Sequence, residues 1–241
     1  WVVEDLLPAS GALNLYGASK EGKSWAALQL AIASSSDRPD WLSFPVHTHG
    51  PVIYLQVDTP RSTWQLTVDY LAEHGWNSDQ VYFIDRELGP YPLNILLPAH
   101  LTFLRDQVQQ YQPVAVGLDT LREVYSGDEN SSDVLQQVIA NATFACHPAA
   151  VVYLSHSRKD HPEASGSTDL MADNRGSNYV AGRMDAIIKV TRKRLLYQGR
   201  TIDKHTLRCT REDNRLWVLD FSEVDRHLKA VLADPSFTSG R

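Results

Sequence analysis

Gly17-Ala18-Ser19-Lys20-Glu21-Gly22-Lys23-Ser24 completes the pattern GxxxxGK[ST], and its flanks decide how it is read. Ala12-Leu13-Asn14-Leu15-Tyr16 before it reads as an apolar strand, and residues 25–33 (Trp-Ala-Ala-Leu-Gln-Leu-Ala-Ile-Ala) after it read as a buried helix. Strand, glycine-bearing turn and helix in that order make a phosphate-binding loop. The glycines let the backbone wrap until successive N–H groups converge on phosphate oxygens. Lys23 is then expected to reach the β- and γ-phosphates and the Ser24 hydroxyl to sit on Mg²⁺, while the free N–H groups and dipole of the helix start face the anion. The cradle for a nucleoside triphosphate is expected to comprise Gly17, Ala18, Ser19, Lys20, Glu21, Gly22, Lys23, Ser24 and Trp25.

Outward from the loop, apolar runs alternate with helix-like stretches. Residues 51–57 read as a strand ending at Asp58, and a helix opens at Pro60, with Trp64, Val68 and Leu71 at i, i+4, i+7, and stops at Gly75. Strands are expected at 81–84, 113–119 and 149–155, and helices at 98–111 and 132–144. Such runs lack polar alternation, which predicts an α/β fold: a mostly parallel twisted sheet with helices on both faces. Residues 37–50 read as an irregular excursion anchored by Trp41, Phe44 and Val46. Later strands are expected at 184–190, 206–210 and 216–221, the last two as an antiparallel ribbon, followed by a closing helix over 222–232 and a frayed tail. The chain reads as a single domain over 1–241 with its core at about residues 5–221.

The chain has 241 residues, two cysteines and a net charge of −6. Two cysteines, Cys146 and Cys209, are too few for a disulfide framework and suit a reducing compartment. No stretch approaches eighteen consecutive apolar residues, so a soluble, cytoplasmic protein without a membrane partner is expected. The acidic balance argues against a surface coated for nucleic acid. Residues 183–215 nevertheless hold ten basic and four acidic side chains. Contact with a nucleic-acid backbone is therefore expected there, at Arg192, Lys193 and Arg194; solvated charges guarding a ribbon edge would give the same pattern.

Parallel sheets place their chemistry at the carboxyl ends of strands. Asp119, ending Pro113-Val114-Ala115-Val116-Gly117-Leu118-Asp119, is a candidate Mg²⁺ ligand. Asp58 is a candidate for orienting or deprotonating the attacking water, or for capping the helix at Pro60. His156 could sense the γ-phosphate and pass its loss to the polar residues beyond it. Arg175 and Arg183 could supply a forked donor to developing phosphate charge.

Together with the loop, Asp5-Leu6-Leu7-Pro8, Trp41-Leu42-Ser43-Phe44-Pro45-Val46, Val52-Ile53-Tyr54-Leu55, Gly127-Asp128-Glu129-Asn130, Ser155-His156-Ser157-Arg158-Lys159 and Arg175-Gly176-Ser177 resemble the RepA-like branch of the RecA-like ATPases over roughly residues 3–221. The resemblance implies ATP and Mg²⁺ as cofactors and a homo-oligomeric motor, ring or filament, acting on single-stranded DNA and encoded by a bacterium, phage or plasmid. It assigns Lys23 and Ser24 to phosphate and Mg²⁺, Asp119 to the second acidic motif and His156 to the γ-phosphate sensor. The family usually carries Glu where this chain has Asp58, one methylene shorter, so that either a water bridges the gap or hydrolysis is slow, which suits a recombinase-like filament or a regulator without DNA better than a fast helicase. Arg175, Arg183, Arg208 and Arg211 are all eligible as the arginine acting between subunits.

Overall fold

The structure, a computed structural model, describes residues 1–128, 131–157, 170 and 178–220. Residues 129–130, 158–169 and 171–177, with Arg175 among them, and the closing helix and tail expected from 222 onward lie outside the described residues.

Strand β1 (Ala12–Gly17) leads through the glycine turn into helix α1 (Lys23–Ser34). A two-residue hairpin, β2 (Asp40–Trp41) with β3 (Phe44–Pro45), precedes β4 (Val52–Gln56), α2 (Arg61–Glu73) and β5 (Val81–Asp85). Then come α3 (Pro98–Tyr111), β6 (Ala115–Asp119), a 3-10 turn at Leu121–Val124, α4 (Ser132–Cys146) and β7 (Ala150–His156). The last described elements are α5 (Asn178–Arg183), β8 (Ala186–Thr191), β9 (Arg194–Gly199), β10 (His205–Glu212) and β11 (Leu216–Leu219).

Among the described residues, nine strands form one sheet in the order β11-β10-β9-β8-β1-β7-β6-β4-β5. From β8 to β5 all pairings are parallel, whereas β8, β9, β10 and β11 form an antiparallel meander. Strand side chains alternate between faces, so each parallel strand feeds two cores. Leu13 and Leu15 of β1, Val52 and Tyr54 of β4 and Val152 and Leu154 of β7 pack with α1 and with Tyr70 and Leu71 of α2. Tyr16, Ile53, Leu55, Val116, Leu118, Val151 and Tyr153 enter the other core with α3 and α4. A helical layer on each face is why these strands show continuous apolar runs.

Local chemistry sets the boundaries. Pro98 occupies the first turn of α3, where its missing N–H costs nothing. The Ser131 hydroxyl accepts from Val134 N at the start of α4. Gly75, at φ 76°, turns the chain out of α2.

Four features depart from the sequence-based expectation. Strand β9 was not anticipated because Leu195 and Leu196 are adjacent and enter different cores, leaving no alternation to read. Helix α5 adjoins a polar stretch, and the β2–β3 hairpin interrupts the irregular excursion, although Trp41, Phe44 and Val46 are buried there as expected. The final strand stops at Leu219 rather than 221. Both cysteines are buried, and burial pushes each thiol up to about 12. Among the described residues no helix is long and apolar enough to cross a membrane.

Candidate active site at the carboxyl edge of the parallel strands

Strand parity assembles the site. Gly17 of β1, His156 of β7, Asp119 of β6 and Gln56 of β4 end their strands on the α1 side of the sheet, since Leu15, Leu154, Ala115 and Tyr54 of the same parity pack there. Register aligns them in pairs, Gly17 with His156 and Gln56 with Asp119. A polar row therefore borders the first turn of α1.

In the loop, Lys20 (φ 65°) and Gly22 (φ 93°) take left-handed backbone conformations that bend the chain back on itself. Ala18, Ser19 and Lys20 are exposed, and Gly22 and Lys23 are buried. The Lys23 ammonium donates to the Gly17 and Ala18 carbonyls at 3.0 and 2.9 Å. An ammonium has three donors, so one remains for an anion held inside the turn. Burial lowers the Lys23 pKa, an effect opposed by Asp119 and then Glu21. Trp25 stands edge-on to Tyr70 of α2, with centroids 5.6 Å apart.

Asp119 is 2% exposed. Its Oδ2 accepts from Tyr54 Oη at 2.9 Å and from Gln56 Nε2 at 3.0 Å. Desolvation raises its carboxyl to about 6; the nearby Ser24 hydroxyl, the Tyr54 hydrogen bond and the charge of Lys23 oppose that rise, while Asp58 adds to it. The loop serine and the strand-end carboxylate, 95 residues apart in sequence, are thus neighbours, close enough for the hydroxyl to act on the carboxyl.

Asp58 is exposed just beyond β4, accepts from the Thr59 hydroxyl at 2.8 Å and makes no side-chain cap to α2. It is near enough to Asp119 and Tyr54 to act on both electrostatically. His156 is half-buried, and the next backbone N–H, of Ser157, donates to Gly17 O at 3.2 Å. Arg175 lies outside the described residues. Arg192, Lys193 and Arg194 are exposed at the β8–β9 turn, where Arg192 Nε lies 3.4 Å from Glu21 Oε1 of the loop. Because β8 runs parallel to β1, this basic turn shares the phosphate loop's edge of the sheet.

Several residues here were not anticipated. Tyr54 and Gln56 look like ordinary strand residues until the β4–β6 register sets them against Asp119. Gly117 is what lets Tyr54 lie there, since a Cβ at that position would meet the ring at 3.0 Å. Asp85, fully buried at the end of β5, holds Arg61 of α2 in a two-pronged ion pair at 2.7 and 2.9 Å, and its Oδ1 also accepts from Glu87 N and Leu88 N. That pair anchors the α2 start beside Asp58. The one prior signal was the strand-end position of Gln56 and Asp85.

The donor set fits a magnesium-bound triphosphate. Mg²⁺ characteristically takes one or two protein oxygens and completes its shell with phosphate oxygens and water, and Ser24 with Asp119 is such a pair. Gln56 adds a buried Oε1 that has no hydrogen-bond partner among the described residues, an acceptor suited to a metal-bound water.

Residues 1–162 match the AAA domain family. Among solved structures, the chain is similar to a KaiC-like protein from the hyperthermophilic archaeon Pyrococcus horikoshii OT3, with a TM-score of 0.58 and 8% identity over 91% of this chain and 93% of that one. The similarity extends through the antiparallel strands that follow the parallel sheet, and the fold is RecA-like.

Proposed function

The chain belongs to the AAA domain family of RecA-like P-loop ATPases, and from that premise we propose that it is an ATP-dependent DNA motor of replication or recombination, a replicative helicase of RepA-like type whose nucleotide sits between subunits. The observation that carries the catalytic part is the buried Asp119 carboxylate beside the loop's Ser24 and the buried Lys23 ammonium, which folds back on the loop carbonyls. Bound MgATP would bring the electrophilic phosphorus and the cation that neutralises its oxygens.

The chain's own groups have separable tasks in this reading. Lys23 directs its remaining donor to phosphate oxygens, and the loop N–H groups orient them. Ser24 and Asp119 hold the cation's protein side, with Gln56 and Tyr54 fixing the carboxylate. Asp58 takes the water-orienting role, and His156, whose register partner is Gly17, takes the γ-phosphate-sensing one. Arg175 is the proposed arginine acting between subunits.

The exposed basic turn at Arg192, Lys193 and Arg194 supports a DNA partner. The contact between Arg192 and Glu21 favours a second reading, a nucleotide-gated ATPase without DNA, in which this turn serves the phosphate loop. The test is ATPase rate with and without single-stranded DNA, alongside oligomer mass. Stimulation together with a closed ring supports the helicase, an open filament a recombinase, and salt-independent indifference to DNA the second reading.

A further inference from the structure

The C-terminal ribbon reaches the phosphate loop at its tightest point. Trp217 of β11 is fully buried, and its indole Nε1 donates to the Gly22 carbonyl at 2.9 Å. That same oxygen accepts from Ala26 N at 3.1 Å, the bond that starts α1. The Trp217 main chain is paired with Gln29 on the next turns of the helix, accepting from its Nε2 at 3.0 Å and donating to its Oε1 at 2.9 Å. One residue therefore holds both the turn and the helix that the turn opens.

Arg211 of β10 completes the contact. Its guanidinium carbon lies 5.6 Å from the Trp217 ring centroid, and Nη1 donates to the Asn214 carbonyl at 3.0 Å. A Cβ on Gly22 would meet Arg211 Nη1 at 3.0 Å and Trp217 Nε1 at 3.1 Å. Arg211 Nε is buried and has no hydrogen-bond partner among the described residues. Arg192 reaches Glu21 from the neighbouring turn. A guanidinium so placed adds positive potential beside a loop that receives a polyanion.

We propose that Trp217 and Arg211 are positioning residues of the nucleotide site, holding Gly22 in its left-handed conformation so that the loop meets phosphate already ordered. Glycine visits positive and negative φ with similar ease, so residue 22 has little intrinsic reason to stay at φ 93°. An external grip removes the ordering cost from binding, and ligand affinity rises accordingly. Through this grip the state of the ribbon, including anything bound to its basic turn, bears on phosphate affinity. The inference rests on residues 17–24 being the nucleotide cradle.

The test titrates MgATP into the full chain and into Trp217→Phe, Arg211→Met and Lys23→Ala, with thermal denaturation of each nucleotide-free protein. Trp217→Phe keeps the aromatic packing and deletes the donor. Both ribbon variants are expected to remain folded and to bind about three- to tenfold more weakly, the scale of one hydrogen bond, with KM rising more than kcat falls. A lowered Tm with unchanged affinity overturns the proposal, since a merely structural ribbon moves only stability. If Trp217→Phe does not fold, the partly exposed Arg211→Met decides. Undiminished binding by Lys23→Ala instead overturns the cradle reading itself.

Discussion

The Tyr54 hydroxyl and the Asp119 carboxylate meet at 2.9 Å across β4 and β6, in a core where neither side chain is more than 2% exposed. The pair is asymmetric. Burial drives the Tyr54 pKa well above its usual value, so the phenol remains a donor, while the carboxyl is pushed to about 6. Tyr54→Phe should destabilise the nucleotide-free protein by about 1–2 kcal/mol at pH 7.5, the range for a hydrogen bond to a charged group less relaxation. Urea denaturation checks this, and the deficit should shrink at pH 5, where Asp119 is protonated.

Asp119→Asn should behave oppositely for fold and activity. The folded-state pKa of about 6 lies above the 3.8 of an unperturbed carboxyl, so the folded protein binds the proton more tightly. Nucleotide-free stability therefore increases as pH falls from about 6 toward 4, and the burial cost is fully present above 6. Replacement by Asn removes this cost, raising stability at pH 7.5 by about 1–3 kcal/mol and flattening the pH dependence between 4 and 6. ATP turnover should be lost. A variant less stable than wild type at neutral pH would contradict the desolvation account.

The Arg61–Asp85 pair should matter for stability in the acid range. Burial raises the Asp85 carboxyl, but the Arg61 hydrogen bonds and the Glu87 and Leu88 amides outweigh it, and its pKa lies below 3.8. Its contribution is complete above about pH 4 and disappears as pH falls through the lower folded value. Asp85→Asn should cost about 2 kcal/mol at pH 7, less than breaking a fully buried pair because Arg61 is 39% exposed. Thermal melts at pH 7 and pH 3 provide the measurement; the gap between variant and wild type should close in acid.

Gly17→Ala should be worse than any of these. The added methyl would sit 2.3 Å from the Val190 carbonyl oxygen, a backbone atom of the adjoining strand. Relief requires β1 and β8 to part, at a cost of at least about 3 kcal/mol. The expected readout is loss of soluble folded protein, in contrast to Lys23→Ala, which should retain its Tm while losing turnover.

Sequence pattern reached the elements whose signals are local. The phosphate loop is a contiguous string, Asp119 ends an uninterrupted apolar run, and α2 stops at a glycine. Gln56, Tyr54 and Asp85 were out of reach because their partners are fixed by register between strands, with 63 residues separating Gln56 from Asp119. Trp217 carries no local signal of its role, since its contact with Gly22 spans 195 residues. Strand β9 was hidden by its two-sided burial, and the basic cluster could be counted from composition without revealing that it shares an edge with the loop.

The order in which this sheet can be assembled follows from its topology. Strand β1 comes first in the chain but lies between β7 and β8, so Leu13 has no strand partner until Val152 and Ala186 exist. At translation speeds of about 5–20 residues per second, the apolar segment 12–17 leaves the ribosome on the order of ten seconds before its second neighbour. Nascent chains of this protein therefore present a bare strand to chaperones during that interval, and an unfinished polypeptide ending before residue 186 lacks the pairing that frames its own phosphate loop.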